Sequence, residues 1–126
     1  MKNDEKTTIK ELKDLLLIFR NKRDWAQFHD PKNLAEAISI ESGELQELFL
    51  WKDKEEIAKK ISQDENFKEE IGEELADIMI FCLNFANSVN LDVSTIVKDK
   101  IDKVDKKYPV ELCKGKNFKY THYQKD

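Results

Sequence analysis

The sequence predicts an all-α protein with a four-helix-bundle-like core and one additional short helix. The 126 residues include only three glycines and two prolines, too few for the many turns of a β-sandwich or barrel. Hydrophobic residues make up 40% of the chain and charged residues 38%, a balance typical of amphipathic helices. Apolar residues also recur at helical spacing in several segments. We expect a single domain over residues 1–126.

The first predicted helix extends to about residue 23. Thr7 or Thr8, followed by Glu11, supplies an N-cap and a capping box. The apolar stripe of this helix is Ile9, Leu12, Leu15, Leu16 and Phe19. Because the apolar run over residues 16–19 is continuous and the chain is small, we expect part of it to lie in a contact between subunits. A homo-oligomer is therefore predicted.

The second predicted helix follows the break at Pro31 and ends near Trp51. Asn33, with Glu36 three residues later, is the expected cap, and the stripe includes Leu34, Ile38, Leu45, Leu48 and Phe49. A short third helix follows Asp53 and extends to about residue 61. The polar residues 62–66 are predicted to form a loop.

A long fourth helix is predicted over residues 67–87, with a stripe of Ile71, Leu75, Ile78, Phe81, Cys82 and Phe85. Asn90 or Asp92 ends it and caps a last helix that carries Val93, Ile96, Val97, Ile101 and Val104. From about Pro109 the sequence predicts an irregular basic tail, because a residue before proline rarely stays helical.

The charge distribution excludes several classes of partner. Residues 98–126 contain nine lysines and five acids, so the net charge of −4 divides into an acidic body of −8 and a basic tail of +4. Uniform basicity, which binding to a nucleic-acid polymer requires, is missing. No apolar run approaches the roughly 20 residues of a membrane span. We expect a cytoplasmic protein with no membrane partner, and reduced thiols at Cys82 and Cys113.

Two pairs of acidic residues indicate a metal site. Glu41 and Glu44 are three residues apart on the second helix, and Glu74 and Asp77 repeat that spacing on the fourth. Their positions in or beside the apolar stripes point the carboxylates at least partly inward, where unpaired charges are costly. Oxygen ligands of this kind suit Mg²⁺ first and Mn²⁺ next. A single pair of this kind is ordinarily a solvated helix face, whereas two pairs on neighbouring helices favour a cation.

The sequence lacks the motifs of other metal sites, of serine hydrolases and of nucleotide-binding loops. Di-iron bundles need Glu-x-x-His, and neither His29 nor His122 follows a glutamate by three residues. The chain has no GxSxG, P-loop or GxGxxG sequence.

Aromatic and basic residues supply candidate contacts for a nucleotide. Aromatic faces stack on bases, and histidine or glutamine can hydrogen-bond base or sugar edges. The candidates are Trp25, Gln27, Phe28, His29, Trp51 and Phe81. Core packing is the alternative for the aromatic residues. Lysines that can reach triphosphate oxygens are Lys100, Lys107, Lys114 and Lys119, each of which is otherwise a solvated surface residue.

Five segments carry a resemblance to a known family. They are RDWAQFHDPKNL, ESGELQELFLWK, EEIGEELADIMIF, KKYPVEL and KGKNFKYT, in that order over about 100 residues. With them the chain resembles the all-α nucleotide pyrophosphohydrolases of the MazG-like type, most closely the dCTP pyrophosphatases. The resemblance implies Mg²⁺ binding through E-x-x-E and E-x-x-D, which fall on Glu41, Glu44, Glu74 and Asp77. It also implies nucleoside contacts from Trp25, Gln27, Phe28, His29 and Trp51.

The sequence departs from the family pattern at three positions. Ile40 stands where many members have an additional glutamate, Phe81 where base-pocket members often have tyrosine, and Val104 where an asparagine is common. The four acidic residues of the metal motif are all present.

The resemblance implies Mg²⁺-dependent hydrolysis of a deoxynucleoside triphosphate, dCTP or a modified dCTP, to the monophosphate and pyrophosphate. This is a house-cleaning activity on the nucleotide pool, and the family implies a homodimer or homotetramer with active sites near subunit contacts. Three alternatives stay open at this point: a non-catalytic nucleotide sensor, a pyrophosphatase of broad specificity, and an interaction protein whose acidic stripes face a basic helix.

Overall fold

A computed structural model describes residues 3–124 of the chain, and it confirms the all-α class. Six α-helices are present in this range, with no strand. They divide between two compact units, residues 1–91 and 92–126, which are described separately. The first unit holds α1 (Ile9–Asn21), α2 (Pro31–Glu47), α3 (Lys54–Gln63) and α4 (Glu65–Ser88), and the second holds α5 (Val93–Lys107) and α6 (Val110–Cys113). Single 3₁₀ turns occupy Ala26–Phe28 and Tyr120–His122. The predicted single domain stays a prediction.

Side-chain caps explain where the helices begin. Thr8 caps α1 and forms the predicted capping box with Glu11. The predicted cap of α2 at Asn33 is wrong, because Asp30 is the N-cap and its Oδ1 accepts from the Asn33 backbone N–H at 3.0 Å. Pro31 then occupies the first turn, where it loses no helical hydrogen bond. Of the two residues considered for α5, Asp92 is its cap.

Three predicted boundaries are corrected by the structure. Helix α2 ends at Glu47, and turns rather than helix lead to Trp51. The loop predicted over residues 62–66 is absent, since Asp64 alone joins α3 to α4 as the C-cap of one and the N-cap of the other. The tail is less irregular than predicted, because α6 and a 3₁₀ turn form within it. Proline fits the N-terminal boundary of a helix, so Pro109 precedes α6 rather than ending regular structure.

Helix α4 is the central element of the first unit and contacts α1, α2 and α3. Four apolar residues are buried, Leu34, Phe67, Leu83 and Ala86. The Phe67 ring meets Phe49 edge to face, with 6.1 Å between ring centroids. The Asn87 side chain donates to the Lys13 carbonyl at 3.1 Å and so ties α4 to α1.

The second unit has its own aromatic cluster. The Tyr108 ring packs edge to face against Tyr120 and Tyr123, at centroid distances of 6.2 and 6.4 Å. Over residues 3–124, no single helix is both long and apolar enough to cross a membrane; only the bent pair Glu65–Ser88 and Val93–Lys107, taken together, meets the length and composition test.

Candidate active site

Three carboxylates converge where α2 packs on α4. Glu41 and Glu44 lie one turn apart on α2, and Glu74 faces them from α4; one carboxylate oxygen from each lies within 4.8 Å of the others. The helical spacing of three residues puts the first two side chains on one face of α2. The structure therefore brings together three of the four acidic residues of the predicted metal site.

Asp77 lies beside this group without joining it. It follows Glu74 by about one turn of α4 and lines a neighbouring cavity. Asp77 and Glu44 are exposed, while Glu41 and Glu74 are half-buried. The stripe positions had pointed all four carboxylates at least partly inward, and Glu44 and Asp77 are more exposed than that prediction.

The electrostatics of the group favour a bound cation. Burial raises the pKa of Glu41 and of Glu74 above the ordinary glutamate value, and repulsion from the Glu44 and Asp77 carboxylates raises both further. The Oε2 atom of Glu74 is buried and accepts no hydrogen bond from the described residues. Such an atom loses its hydration without gaining a partner.

No basic side chain within residues 3–124 forms a salt bridge with these carboxylates. Three mutually repelling oxygen ligands with one unpartnered oxygen suit a hard divalent ion such as Mg²⁺ or Mn²⁺. The residues present therefore fit the metal that the acidic motif implies.

A cavity of about 520 Å³ opens next to the acidic group in the first unit. Its walls come from α1, α4 and the segment that joins α1 to α2. The lining residues are Leu15, Leu16, Phe19, Arg20, Trp25, His29, Asp77, Ile80, Phe81 and Asn84. The volume lies within the range of small-molecule sites, which are mostly apolar with a few placed polar groups. Asp77 belongs to both the cavity and the surroundings of the carboxylates.

His29 is a neutral hydrogen-bonding group in this cavity. Burial lowers the pKa of its imidazole below the ordinary value of 6.5, and the nearby Arg20 guanidinium lowers it further. Its Nδ1 atom is buried and has no hydrogen-bond partner among the described residues. Arg20 is held in place by donating through Nε and Nη2 to Asn21 Oδ1, at 3.0 and 2.8 Å.

The other predicted nucleoside contacts divide into two groups. Trp25 and Phe81 line the cavity with His29. Gln27 instead donates to the Asp24 carbonyl at 3.0 Å, and Phe28 is exposed. Neither residue lines the cavity.

Trp51 lies outside the cavity lining and is 93% exposed. Its backbone has a φ of 61°, a left-handed conformation that is unusual for a bulky residue. The structure therefore does not bring Trp51 to this cavity of the same chain.

The four lysines predicted to reach phosphates lie in the second unit and are exposed. The ammonium group of Lys107 lies 4.7 Å from the centroid of the Tyr120 ring, and Lys100 lines a shallow groove with Tyr108. Lys114 follows α6, and Lys119 precedes the last 3₁₀ turn. Their part in phosphate binding stays a prediction.

Sequence reasoning missed two polar residues of the cavity, Arg20 and Asn84. Asn84 follows Asp77 by seven residues, or about two turns, within the apolar second half of α4. The sequence signal for Asn84 is this spacing, which puts a polar residue on the same helix face as the candidate ligand Asp77. Arg20 gave no comparable signal, because arginine is common near the end of a helix.

Comparisons with known proteins point to one family. The MazG-like family model matches residues 37–122. Proteins named dCTP pyrophosphatase 1 from Rattus norvegicus and Bos taurus are 37% and 38% identical to this chain over 114 residues, which is 90% of its length. The chain spans about two thirds of those relatives, 66% and 67%. A solved pyrophosphatase from Archaeoglobus fulgidus is 35% identical with a TM-score of 0.75, over 86% of this chain and 99% of that one.

Proposed function

This chain belongs to the MazG-like family, and from that premise we propose that it hydrolyses a nucleoside triphosphate between the α and β phosphates. The observation that carries the proposal is the group of Glu41, Glu44 and Glu74 beside a nucleoside-sized cavity. The dCTP pyrophosphatases from rat and cattle and the archaeal pyrophosphatase support the same activity.

Glu41, Glu44, Glu74 and Asp77 would hold Mg²⁺, with Mn²⁺ as a substitute. Bound there, the ion supplies positive charge that neutralises the triphosphate and polarises the attacking water. The unpartnered Oε2 of Glu74 supports this ligand set.

The residues of the chain then position the reactants. The apolar walls formed by Trp25 and Phe81 hold the nucleoside and exclude water from it, while neutral His29 offers a hydrogen bond. The oxygen of water attacks the α phosphorus, the bond from that phosphorus to the bridging oxygen breaks, and pyrophosphate leaves. Glu44 or Glu47 accepts the proton released by the water. Lys100, Lys107 and Lys119 are the proposed contacts for the leaving phosphates.

The proposed substrate is dCTP or a modified dCTP, and the proposed role is to clear such nucleotides from the cell's pool. The names of the mammalian relatives support the base, and the volume and apolar walls of the cavity support a nucleoside.

A substrate panel tests the proposal. The purified protein is incubated with each canonical deoxynucleotide and with 5-methyl-dCTP, with Mg²⁺ or with EDTA, and the products are separated by ion-exchange chromatography. We expect dCMP and pyrophosphate from dCTP in Mg²⁺ and neither product in EDTA. Release of orthophosphate instead, or the absence of turnover from every nucleotide, contradicts the proposal.

The same panel separates the two alternatives for this site. A nucleotide sensor binds dCTP in a Mg²⁺-dependent way without producing pyrophosphate. A broad-specificity pyrophosphatase hydrolyses all bases at similar rates.

We also infer that the chain acts as a homodimer or homotetramer. On α1, Ile18 is 52% exposed, and Leu15 and Phe19, which also line the cavity, are 60% and 48% exposed. Apolar surface of this kind favours contact with a second copy beside the cavity. Sedimentation at micromolar concentration should give a dimer or tetramer, and Ile18→Glu should shift it towards the monomer. A wild-type monomer under these conditions contradicts the inference.

A further inference from the structure

Asn84 is a buried polar residue whose side chain forms no hydrogen bond with the described part of the chain. Only 7% of its surface is exposed, and its side-chain amide forms no hydrogen bond with any residue in the range 3–124. Its amide atoms are not among the buried polar atoms that lack a partner, so they reach the open space of the cavity rather than being sealed inside the protein. Asn84 also lines the cavity next to the acidic group. The amide is therefore available to a molecule that occupies the cavity.

The position of Asn84 on α4 sets what it can reach. It follows Asp77 by seven residues, which is about two turns, so both side chains lie on nearly the same face of the helix. At 1.5 Å per residue the two positions are about 10.5 Å apart along the axis. With the phosphates beside Asp77, a separation of this order places Asn84 towards the base end of a bound nucleoside.

Trp25 and Phe81 supply rings for the faces of a base, and Leu16 and Ile80 offer only apolar contact. Arg20 and His29 also line the cavity, but a guanidinium has only donors and an imidazole does not place a donor beside an acceptor, so neither matches a base edge in the way that the Asn84 amide does. An amide presents a donor beside an acceptor, the pattern that pairs with a base in two parallel hydrogen bonds.

We propose that Asn84 is a specificity-determining residue that binds the N3 edge of a pyrimidine base, an assignment that rests on the proposed function. With cytosine, Oδ1 accepts from the 4-amino group and Nδ2 donates to N3. Because none of the described residues hydrogen-bonds the amide, rotation by 180° lets it pair with the N3–H and 4-oxo groups of uracil. Asn84 thus selects an edge that has a donor next to an acceptor and does not separate cytosine from uracil.

The test pairs a side-chain change with a change in the base. Binding of the α,β-imido analogue of dCTP, which cannot be hydrolysed, is compared by calorimetry with the same analogue of the 2-pyrimidinone nucleotide, which lacks the 4-amino group. We expect wild-type protein to bind the cytosine analogue about 10- to 100-fold more tightly, because loss of the 4-amino group leaves Oδ1 without a donor while the bond to N3 remains. In Asn84→Leu this ratio should fall to within about twofold, because the apolar side chain contacts both bases alike.

A matched control is Asn87→Leu, which lies one turn further along α4 and outside the cavity, where it bonds the Lys13 carbonyl. This variant should lose thermal stability and keep the wild-type binding ratio. Asn84→Ser is the second cavity variant, in case Asn84→Leu does not fold, and its ratio should also collapse. If a folded Asn84 variant keeps the wild-type ratio of affinities for the cytosine and 2-pyrimidinone analogues, the assignment is overturned.

Turnover of ordinary dCTP by wild-type protein, measured separately, distinguishes this result from a failure of the proposed function. If wild-type protein binds the cytosine analogue selectively but hydrolyses no triphosphate, the proposed function fails while the binding role of Asn84 holds. If it hydrolyses dCTP and the ratio does not depend on residue 84, only the role of Asn84 fails.

Discussion

Glu74→Gln is the substitution that most directly tests the acidic group. The change keeps the size of the side chain and removes the charge of the one residue that α4 contributes to the group of three carboxylates. It also replaces the buried Oε2, which lacks a hydrogen-bond partner, with an amide end that cannot serve as an anionic ligand. With Mg²⁺ present the variant should be less stable than wild type, and without metal it should be more stable.

The size of the metal effect can be worked out from mass action. An ion that binds only the folded protein adds about 2.7 kcal/mol at 100 times its dissociation constant. For a chain of this length, that stabilisation raises the melting temperature by about 10 °C. The variant should lose most of this shift. Without metal it should melt above metal-free wild type, because the charge of Glu74 no longer repels Glu41 and Glu44 within 4.8 Å.

The assay is a melting curve followed by circular dichroism, in EDTA and at several Mg²⁺ concentrations. Pyrophosphate release from dCTP is measured on the same samples, and we expect it to fall by a factor on the order of 10²–10³. The matched control is Glu69→Gln, an exposed carboxylate on α4 that lies outside the group and should behave as wild type. A Glu74→Gln protein that keeps the wild-type Mg²⁺ shift refutes the metal site.

Three further predictions follow from burial and pKa. The free energy of unfolding of metal-free protein, measured in urea, should fall as pH rises from about 4.5 through the raised pKa values of Glu41 and Glu74, because the folded state holds those protons to higher pH than the unfolded state does. In Glu41→Gln this dependence of the unfolding free energy on pH should be weaker. A pH dependence equal to that of wild type contradicts the prediction. His29 has a lowered pKa, so its contribution to stability is complete above 6.5 and is lost as pH falls through the folded value. As pH falls below 6.5, the melting temperature of His29→Gln should therefore decrease less than that of wild type. Equal decreases in the two proteins would refute the prediction. Leu34→Ala should cost about 2–5 kcal/mol in urea unfolding, since Leu34 is 2% exposed, and a cost below about 1 kcal/mol would contradict its place in the core.

The sequence predicts the presence of the helices better than their boundaries and the connections between them. Apolar spacing identifies α1 to α5 because apolar residues recur at helical spacing along each of them. The boundaries at Asp30 and Asp64 were missed because several polar residues nearby make equally good caps, and only the path of the chain selects one of them.

In the candidate site, too, the sequence predicts what lies within one helix better than what different segments bring together. Spacing within a helix predicts that Glu41 lies beside Glu44, and the packing of α2 on α4 then brings Glu74 to them. The residues that line the cavity come from α1, α4 and the segment between α1 and α2, so their meeting depends on contacts between distant parts of the chain. Trp51 matched the family motif, yet it is 93% exposed and does not line the cavity of its own chain.

The single-residue junction at Asp64 limits how the chain length can vary during evolution. One inserted residue there would turn α3 by about 100° relative to α4, given 3.6 residues per turn, and would separate the side of α3 that now meets α4 from its neighbour. The segment between α1 and α2 is longer and largely exposed, so it can absorb added residues at lower cost. Natural length differences among homologous chains should therefore accumulate before Pro31 and be rare between Gln63 and Glu65.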